Sequence, residues 1–455
     1  MRVVVIGLDS EPPVLWERFD AVLPTIGRMR REGIFLPLAS TDPPITVPAW
    51  MSMLSGRDPG ELGVYGFRNR ASYGYGALVT ADATHVRVPR VWDVLGAHGL
   101  KSAVVGVPGT YPPPPVAGVV VSDFLTPPGA PYTSPPEFRE TVERVVGGPY
   151  RFDVEGFRSH DLPRIRDEAL AMTERRFDLA CHLAEGGEWD FLMVHEIGLD
   201  RVHHAFWNHF DPRSPRHVPD SPFASVVERY HRYLDARIAD LLARLTDECV
   251  VFVVSDHGSR AMEGGVYLND WLREEGLLTL RHEVEPGTPL RPELVDWSRT
   301  RAWAEGGYYG RVFLNVAGRE PEGTVAPADA RALAERIARG LGELRCGAEV
   351  LVPEETYRAV RPIAPDLMVY LGGLGWRALG SVGHDDLYAL ENDTGPDGAN
   401  HDRLGVFLAW GKGVGLGARC SGTASILDVA STLLEPFGLA DKLPGEPIVE
   451  VTDLA

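Results

Sequence analysis

Unbroken runs of hydrophobic residues recur along the chain, and several of them lead into carboxylates. The run at 250–254, Val-Val-Phe-Val-Val, has no polar alternation and is followed by Ser-Asp-His-Gly. Runs at 3–8 and 191–194 likewise lead to Asp9 and Asp200. A continuous apolar run of this length is typical of a strand buried on both faces, as in a parallel sheet. The pattern therefore predicts parallel strands whose carboxyl ends carry polar side chains.

Amphipathic segments separate these runs. The spacing of apolar residues predicts helices over 14–32, allowing for a break at Pro24, and over 91–98, 162–184 and 226–245, with a further buried strand over 102–107. Strands that alternate with helices indicate a parallel sheet with crossover connections. We therefore expect an α/β fold with a doubly wound, mainly parallel sheet and helices on both faces.

The alternation ends after residue 259. Residues 260–400 contain glycine-rich turns, a predicted helix over 329–341 and short predicted strands near 312–315 and 367–369. We interpret 260–400 as an inserted cap that determines substrate specificity. The catalytic core is then made of 1–259 and 401–455, the second part with a predicted strand over 405–410 and helix over 425–434.

The amino-acid composition is that of a globular protein and argues against some classes of partner. The 455 residues include 44% hydrophobic and 24% charged residues, as in ordinary globular proteins, and a formal net charge of −19. That charge argues against a nucleic-acid polymer as partner, because such partners bind clustered Lys and Arg. No apolar run approaches the roughly 20 residues that span a bilayer. With no recognisable leader sequence, we expect a cytoplasmic protein without a membrane partner. Four scattered cysteines predict free thiols: Cys181, Cys249, Cys346 and Cys420.

Carboxylates at strand ends are candidate ligands, because ligands of open α/β sheets bind at the carboxyl ends of the strands. If a helix begins near Asp200, His204 lies one turn later on the same face and can share a cation with it; His203 is the rival. Asp256 and His257 are adjacent at the end of a strand. Asp9 has an ordinary alternative as a helix N-cap.

Thr46 precedes Val-Pro-Ala-Trp. Pro48 suits a first helical turn, which places Thr46 at a helix N-terminus, where backbone N–H groups and the dipole favour an anion. A hydroxyl there can meet a phosphoryl group, and the alternative is a capping threonine. His401 is expected in a loop before the strand at 405–410, where an ordinary turn histidine is the alternative.

These candidates form one set. Carboxylates and imidazoles in this mixture suit Zn²⁺ and also accept Mn²⁺ or Fe²⁺. The set comprises Asp9, Thr46, Asp200, His204, Asp256, His257 and His401.

The combination resembles the type I phosphodiesterase/nucleotide pyrophosphatase family of the alkaline phosphatase superfamily, over nearly the whole chain. The resemblance is carried by Asp-Arg-Val-His-His-Ala-Phe-Trp at 200–207, Ser-Asp-His-Gly at 255–258 and Asn-His-Asp-Arg-Leu-Gly-Val-Phe at 400–407. Within the insertion, Tyr-Leu-Asn-Asp-Trp-Leu at 267–272 and Gly-Arg-Glu-Pro-Glu-Gly at 318–323 are similar to bacterial members.

The resemblance implies an alkaline phosphatase-like fold and two divalent ions, Zn²⁺ first. One ion would be held by Asp200, His204 and His401. The other would be held by Asp9, Asp256 and His257, with Thr46 as nucleophile and a phosphothreonine intermediate. Two adjacent ions can stabilise the attacking and leaving oxygens of an in-line displacement.

The chain departs from the family pattern after the nucleophile helix. Leu62 and Gly63 replace a His-Gly turn, and Phe67 stands near the position of an Asn that holds a phosphoryl oxygen. Asn69 is the candidate replacement, and Arg68 is a candidate contact for a second phosphate. Arg70 shares the second possibility, with a solvated surface as the alternative for both arginines.

The implied function is hydrolysis of phosphodiester or phosphoanhydride bonds in a small, nucleotide-like phosphorylated substrate. Phosphomonoester or phosphonate hydrolysis is the alternative within the superfamily, and a non-catalytic metal-binding scaffold is the alternative of another class. Trp303, Tyr308 and Tyr309 are candidates for stacking on a base, or else for core packing.

Overall fold

The computed structural model describes residues 1–76, 78–246, 248–416 and 422–451. Its strands follow in chain order: β1 Arg2–Leu8, β2 Ile34–Ala39, β3 Arg68–Arg70, β4 Leu78–Thr80, β5 Ser102–Val105, β6 Gly118–Val121, β7 Thr133–Ser134, β8 Phe191–Glu196, β9 Cys249–Val254, β10 Gly258–Ala261, β11 Gly264–Tyr267, β12 Thr288–Pro289, β13 Ala302–Glu305, β14 Gly310–Leu314, β15 Ala348–Leu351, β16 Leu367–Leu371, β17 Trp376–Leu379, β18 Ser381–Val382, β19 Tyr388–Ala389, β20 Ala399–Asp402, β21 Leu404–Trp410, β22 Val414–Leu416, β23 Ala424–Ser425 and β24 Val449–Val451.

The α-helices are α1 Pro13–Arg18, α2 Pro24–Glu32, α3 Thr46–Met53, α4 Pro59–Leu62, α5 Val91–Ala97, α6 Phe138–Val145, α7 Leu162–Gly186, α8 Gly198–Phe210, α9 Val226–Leu242, α10 Leu268–Glu274, α11 Ala330–Gly342, α12 Pro353–Thr356 and α13 Val429–Leu434. Short 3₁₀ turns complete the helical structure at Asp20–Val22, Ala83–His85, Pro292–Leu294, Pro327–Asp329, Gly372–Leu374, Ile426–Asp428, Glu435–Phe437 and Ala440–Lys442.

The largest sheet has nine strands in the order β23-β2-β21-β9-β1-β8-β5-β6-β7. The five strands from β9 to β6 in this order are parallel to one another. Strand β21 runs antiparallel to both of its neighbours, and β7 runs antiparallel to β6. The predicted mainly parallel sheet is therefore confirmed.

Helices cover both faces of this sheet. Along β1, Val4 and Ile6 join a hydrophobic cluster with residues of α7, α8 and α9, whereas Val3 and Val5 join a cluster with residues of α3, α5 and α13. Every residue of β9 is buried, and each Val or Phe side chain there contributes about 1.5–3 kcal/mol through burial. Burial on both sides explains why these strands lack polar alternation.

A second, seven-stranded sheet lies within the segment that we interpreted as a cap. It has the order β13-β14-β16-β17-β11-β19, and β15 pairs with β16. Its pairs are mainly antiparallel. The β10–β20 ribbon stands at the two ends of this segment. The division into core and cap stays an interpretation of this arrangement.

Some local expectations differ from the structure. The helix predicted over 14–32 is interrupted between α1 and α2, where a 3₁₀ turn precedes Pro24, because proline favours the first turn of a helix. The helix predicted over 425–434 begins as a 3₁₀ turn, so α13 covers only its second half.

His401 does not lie in a loop. It is in β20, where it pairs with Ser259 of β10. The polar residues of this ribbon conceal its strand character, and His401 of β20 faces the candidate site.

The three cysteines in the described ranges are free; Cys181 and Cys249 are buried and Cys346 is half-buried. Cys420 lies outside the described residues. Among the helices that the structure describes, none has the length and hydropathy needed to cross a lipid bilayer.

Candidate active site

Strand register brings the predicted carboxylates to one edge of the central sheet. Gly7 of β1 pairs with Val254 of β9. Continuing this register past the strand ends places Asp9 level with Asp256. On the other side of β1, β8 leads directly into α8, which carries Asp200 in its first turn.

The first group of ligand atoms belongs to Asp9, Asp256 and His257. One ligand atom of each lies within 4.8 Å of the other two. Nε2 of His257 is 3.2 Å from an oxygen of Asp256 and 3.9 Å from an oxygen of Asp9. All three side chains are completely buried.

The second group is centred on Oδ1 of Asp200. Nε2 of His204 lies 3.1 Å from this oxygen and Nε2 of His401 lies 3.8 Å from it. His257 lies close to this group too, because its ring stacks on that of His401 with centroids 3.8 Å apart. The structure thus brings the predicted carboxylates and imidazoles into one continuous site.

His203, the alternative to His204 as a partner of Asp200, makes different contacts. Its Nδ1 lies 3.1 Å from the carbonyl oxygen of Ser10 and from the hydroxyl of Ser259. The four-residue spacing from Asp200 selects His204 because residues one helical turn apart share a face.

Each histidine of the site is oriented through Nδ1. That nitrogen donates to the carbonyl oxygen of Gly258 in His257 and to that of Pro44 in His401. In His204 it bonds to a carboxylate oxygen of Asp397, at 2.8 Å. Such bonds direct Nε2 of each ring toward the carboxylates and are the usual second layer of a metal site.

Several buried acceptor atoms of the site have no hydrogen-bond partner. They are Oδ1 of Asp9, Oδ1 of Asp200, Oδ2 of Asp256 and Nε2 of His401. The Asp200 oxygen forms an ion pair with His204 at 3.1 Å. Unpaired acceptors are costly in a protein interior, and divalent cations would satisfy all of them. The residues present therefore fit metal ions.

Crowding of the carboxylates changes their acidity. Burial, followed by repulsion from Asp200, raises the pKa of Asp9 to about 7. Burial and the neighbouring Asp9 raise the pKa of Asp256 well above its usual range. Burial lowers the pKa of His257. Without a cation, the protein therefore disfavours full ionisation of this group.

The second group has a different balance. Burial opposes ionisation of Asp200, but His204 and Arg201 outweigh it and hold the pKa of Asp200 well below its usual range. Burial also disfavours the His204 imidazolium, yet Asp200 and Asp397 raise its pKa to about 10. Burial and the adjacent His257 hold the pKa of His401 well below its usual range.

Thr46 begins α3 beside the first group. The N-cap of this helix is Ile45, and no side chain caps it, so the capping alternative for Thr46 does not hold. The Thr46 hydroxyl instead lies 3.3 Å from Nε2 of His257 and is buried. Asp9 is likewise no N-cap, since Pro12 precedes α1.

Helix α3 is placed by a close contact with β1. The Trp50 indole donates to Oδ2 of Asp9 at 3.0 Å, and His195 approaches the same oxygen to 2.9 Å. A Cβ atom on Gly7 would lie 2.5 Å from the Trp50 ring, so glycine permits this approach. No sequence pattern indicates His195, because it lies within a buried strand among hydrophobic residues.

Asp397 is a further residue that sequence reasoning missed. It is buried and accepts hydrogen bonds from His204, Arg158 and Arg377. These contacts hold its pKa far below the usual range, although burial opposes ionisation. Its only sequence signal is its position four residues before His401 in an acidic loop.

A cavity of about 400 Å³ adjoins the site. Its lining residues come partly from positions 45–158 and partly from positions 287–394. Tyr308 lines it, stacks on His401 with centroids 3.6 Å apart, and places its hydroxyl 3.3 Å from Nε2 of His204. Phe67 and the exposed Arg68 also line it.

The other residues that we predicted to contact substrate make contacts within the protein. Asn69 is buried and bonds through both side-chain atoms to Tyr65 and Gly66, so its phosphoryl contact stays a prediction. Arg70 pairs with Glu320. Trp303 and Tyr309 are buried in hydrophobic clusters, and Tyr309 also lines the cavity.

Comparison with protein-family models relates most of the chain to known proteins. The family described as type I phosphodiesterase / nucleotide pyrophosphatase matches residues 3–397. The sequence has no significant match among curated proteins.

Solved structures share the fold. Phosphonoacetate hydrolase from Sinorhizobium meliloti 1021 in complex with phosphonoacetate has a TM-score of 0.65 and 14% identity, covering 97% of this chain and 96% of that chain. Human ectonucleotide pyrophosphatase/phosphodiesterase 5 has a TM-score of 0.55 and 13% identity, covering 98% of this chain and 96% of that chain. The murine protein has a TM-score of 0.55 and 14% identity, covering 98% and 97%. The chain belongs to the type I phosphodiesterase/nucleotide pyrophosphatase family, hydrolytic enzymes of the alkaline phosphatase superfamily.

Proposed function

We propose that this protein is a two-metal hydrolase of phosphodiester or phosphoanhydride bonds in small, nucleotide-like substrates, with Thr46 as its nucleophile. The observation that carries the proposal is the position of the Thr46 hydroxyl, buried and 3.3 Å from Nε2 of His257. This hydroxyl neither caps its helix nor bonds to a backbone carbonyl in the described hydrogen bonds. Its placement beside metal-type ligands supports a role as the reacting group.

Two groups of side chains would hold the ions, and Zn²⁺ is the first ion to test. Asp200, His204 and His401 would hold one, and Asp9, Asp256 and His257 the other. When bound, such ions favour the ionised nucleophile and neutralise charge on the attacking and leaving oxygens of an in-line displacement.

The residues of the protein would position the reacting atoms and stabilise the charge on the phosphoryl oxygens. Oγ1 of Thr46 gives up its proton and forms a bond to phosphorus, while the bond from phosphorus to the leaving oxygen breaks; that oxygen departs with the bonding electrons and takes up a proton, and the product is phosphothreonine. Water then attacks the same phosphorus and releases Oγ1 with its proton restored. The N-terminus of α3 offers the positive end of the helix dipole to the phosphoryl oxygens throughout.

The adjoining cavity supports a small anionic substrate. Its volume of about 400 Å³ is within the range of small-molecule sites, roughly 300–1,000 Å³. Arg68 projects an exposed guanidinium at this cavity, and no side-chain partner for it is present in the described ranges. We assign it a contact with a second phosphate or another anionic group. Tyr308, which belongs to the segment 260–400 and lines the same cavity, would also position the substrate.

Hydrolysis of phosphomonoesters or phosphonates is the second candidate, and one observation favours it. Both side-chain atoms of Asn69 bond within its own loop and Phe67 lines the cavity, which favours a substrate that does not need the amide contact expected of a nucleotide pyrophosphatase. A diester preference would then need another contact for the non-bridging oxygen.

A substrate panel separates these functions. Purified protein with added zinc or manganese is assayed on nucleotides, nucleotide sugars, simple diesters, monoesters and phosphonates, beside Thr46→Ala. We expect the highest kcat/KM on a diester or phosphoanhydride. A higher value on phosphonates or monoesters would favour the second candidate. Bound metal without hydrolysis of any class would overturn the enzyme proposal in favour of a scaffold.

A further inference from the structure

Another buried group of ligand side chains lies beside the site described above and belongs to Glu11, His203 and His231. A ring nitrogen of each histidine and a carboxylate oxygen of Glu11 all lie within 4.8 Å of one another. At most 2% of the surface of any of the three residues is exposed. None of them takes part in the proposed reaction.

Hydrogen bonds determine what each ring can offer. Nδ1 of His231 donates to the carbonyl oxygen of Val227 at 2.8 Å, and Nδ1 of His203 donates to that of Ser10 at 3.1 Å. Each ring therefore has only Nε2 left. Nε2 of His231 lies 3.0 and 3.3 Å from the two oxygens of Glu11. Nε2 of His203 has no hydrogen-bond partner.

When His231 is protonated it forms a hydrogen-bonded ion pair with Glu11, so the unpaired atom of the group is Nε2 of His203. A proton between His231 and Glu11 would satisfy that pair, but it would leave Nε2 of His203 buried and unpaired, at a cost of about 1–3 kcal/mol. A cation bound to all three side chains satisfies every one of these atoms.

We propose that Glu11, His203 and His231 bind a third divalent metal ion, of the zinc class, in addition to the two ions of the proposed reaction. Two imidazoles and one carboxylate are a common ligand set for zinc and related ions. Ligand bonds of about 2.0 Å in a tetrahedron give ligand separations near 3.3 Å, close to those between His231 and Glu11. The carbonyl bonds at Nδ1 are the outer contacts expected of such ligands.

The position of this site gives the ion a structural role. Ser10 has a φ of 67°, in the left-handed region that non-glycine residues rarely adopt. In this conformation its N–H donates to Asp256 at 3.1 Å while its carbonyl oxygen accepts from His203. The ion would hold His203, and through Ser10 it would fix the orientation of Asp256.

Metal analysis tests the proposal without any assay of turnover. Zinc-loaded, dialysed wild-type protein is compared with Glu11→Gln and His231→Gln, and with His182→Gln, which changes an exposed histidine of α7. We expect each of the first two variants to retain one zinc equivalent fewer than wild type, and His182→Gln to retain the same number. Thr46→Ala should keep the extra equivalent.

Zinc-edge anomalous diffraction from wild-type crystals locates the ion even if a variant fails to fold. The proposal expects a peak between Glu11, His203 and His231. Equal zinc contents in wild type, Glu11→Gln and His231→Gln, or wild-type crystals with peaks only at the other two groups, would overturn it. A peak in a protein that hydrolyses no phosphate ester would overturn the proposed function and leave the third site standing.

Discussion

The hydroxyl of Thr46 lies 3.3 Å from Nε2 of His257, where the first residue of α3 meets the segment that follows β9. This contact joins an anion-attracting helix end to a metal-type ligand. The hydroxyl is therefore in a position to react with a phosphoryl group held at the end of the helix.

Replacement of the nucleophile tests this relationship. Thr46→Ala should lower kcat by more than about 10³-fold, because the variant lacks the attacking oxygen. Thr46→Ser keeps a hydroxyl and should retain part of the activity. The measurement is steady-state hydrolysis of the best substrate from the panel, with metal content as the control. Full activity in Thr46→Ala would exclude Thr46 as the nucleophile.

Asp397 should act on metal affinity through His204. Asp397→Asn removes the charge that Nδ1 of His204, Arg158 and Arg377 share, and losses of about 10–100-fold in metal affinity are typical of such contacts. Competition with a chelator measures the affinity. Asp385→Asn, an exposed carboxylate of the same segment, is the matched control and should leave affinity unchanged. Equal affinities in both variants would remove Asp397 from the metal site.

Gly7 should be intolerant of a side chain. In Gly7→Ala the new Cβ would lie 2.5 Å from the Trp50 ring, and overpacking of this kind costs about 1–3 kcal/mol in free energy of unfolding. Gly186→Ala, at the end of α7, meets no atom within 4 Å and is the control. Denaturant unfolding compares the two. A Gly7→Ala protein as stable as the control would contradict the packing argument.

Metal affinity should fall as the solution becomes more acidic. In the metal-free protein burial, followed by Asp200, raises the pKa of Asp9 to about 7, so Asp9 is mostly protonated near pH 6 and mostly ionised near pH 8. An ion binds the ionised form and must displace this proton below the pKa. Calorimetry in two buffers of different ionisation enthalpy measures the protons released. Release that is the same near pH 6 and pH 8 would contradict this assignment.

The sequence predicted the parts of the site that are determined by strand ends and helical spacing. Asp9 and Asp256 follow hydrophobic strands that pair in register, and Asp200 and His204 share a helix face. These relationships depend on local periodicity, which is visible in the chain. The doubly wound sheet follows from the same periodicity and is confirmed.

The remaining parts depend on contacts that only the folded chain makes. Glu11 and His231 are separated by 220 positions, and each has an ordinary local interpretation until α9 packs beside the end of β1. Asp397 lies in a loop whose course is determined by its bonds to Arg158 and Arg377. Such pairings leave no periodic signal in the sequence.

In the proposed mechanism, Thr46 carries the phosphoryl group during turnover. Rapid acid quench of wild-type enzyme with its best substrate, followed by peptide mass spectrometry, tests it directly. We predict a phosphoryl group on the peptide that contains Thr46, formed and lost within one turnover, and its absence from Thr46→Ala. Rapid turnover with no phosphorylated Thr46 at any quench time, together with retained activity in Thr46→Ala, would contradict the account.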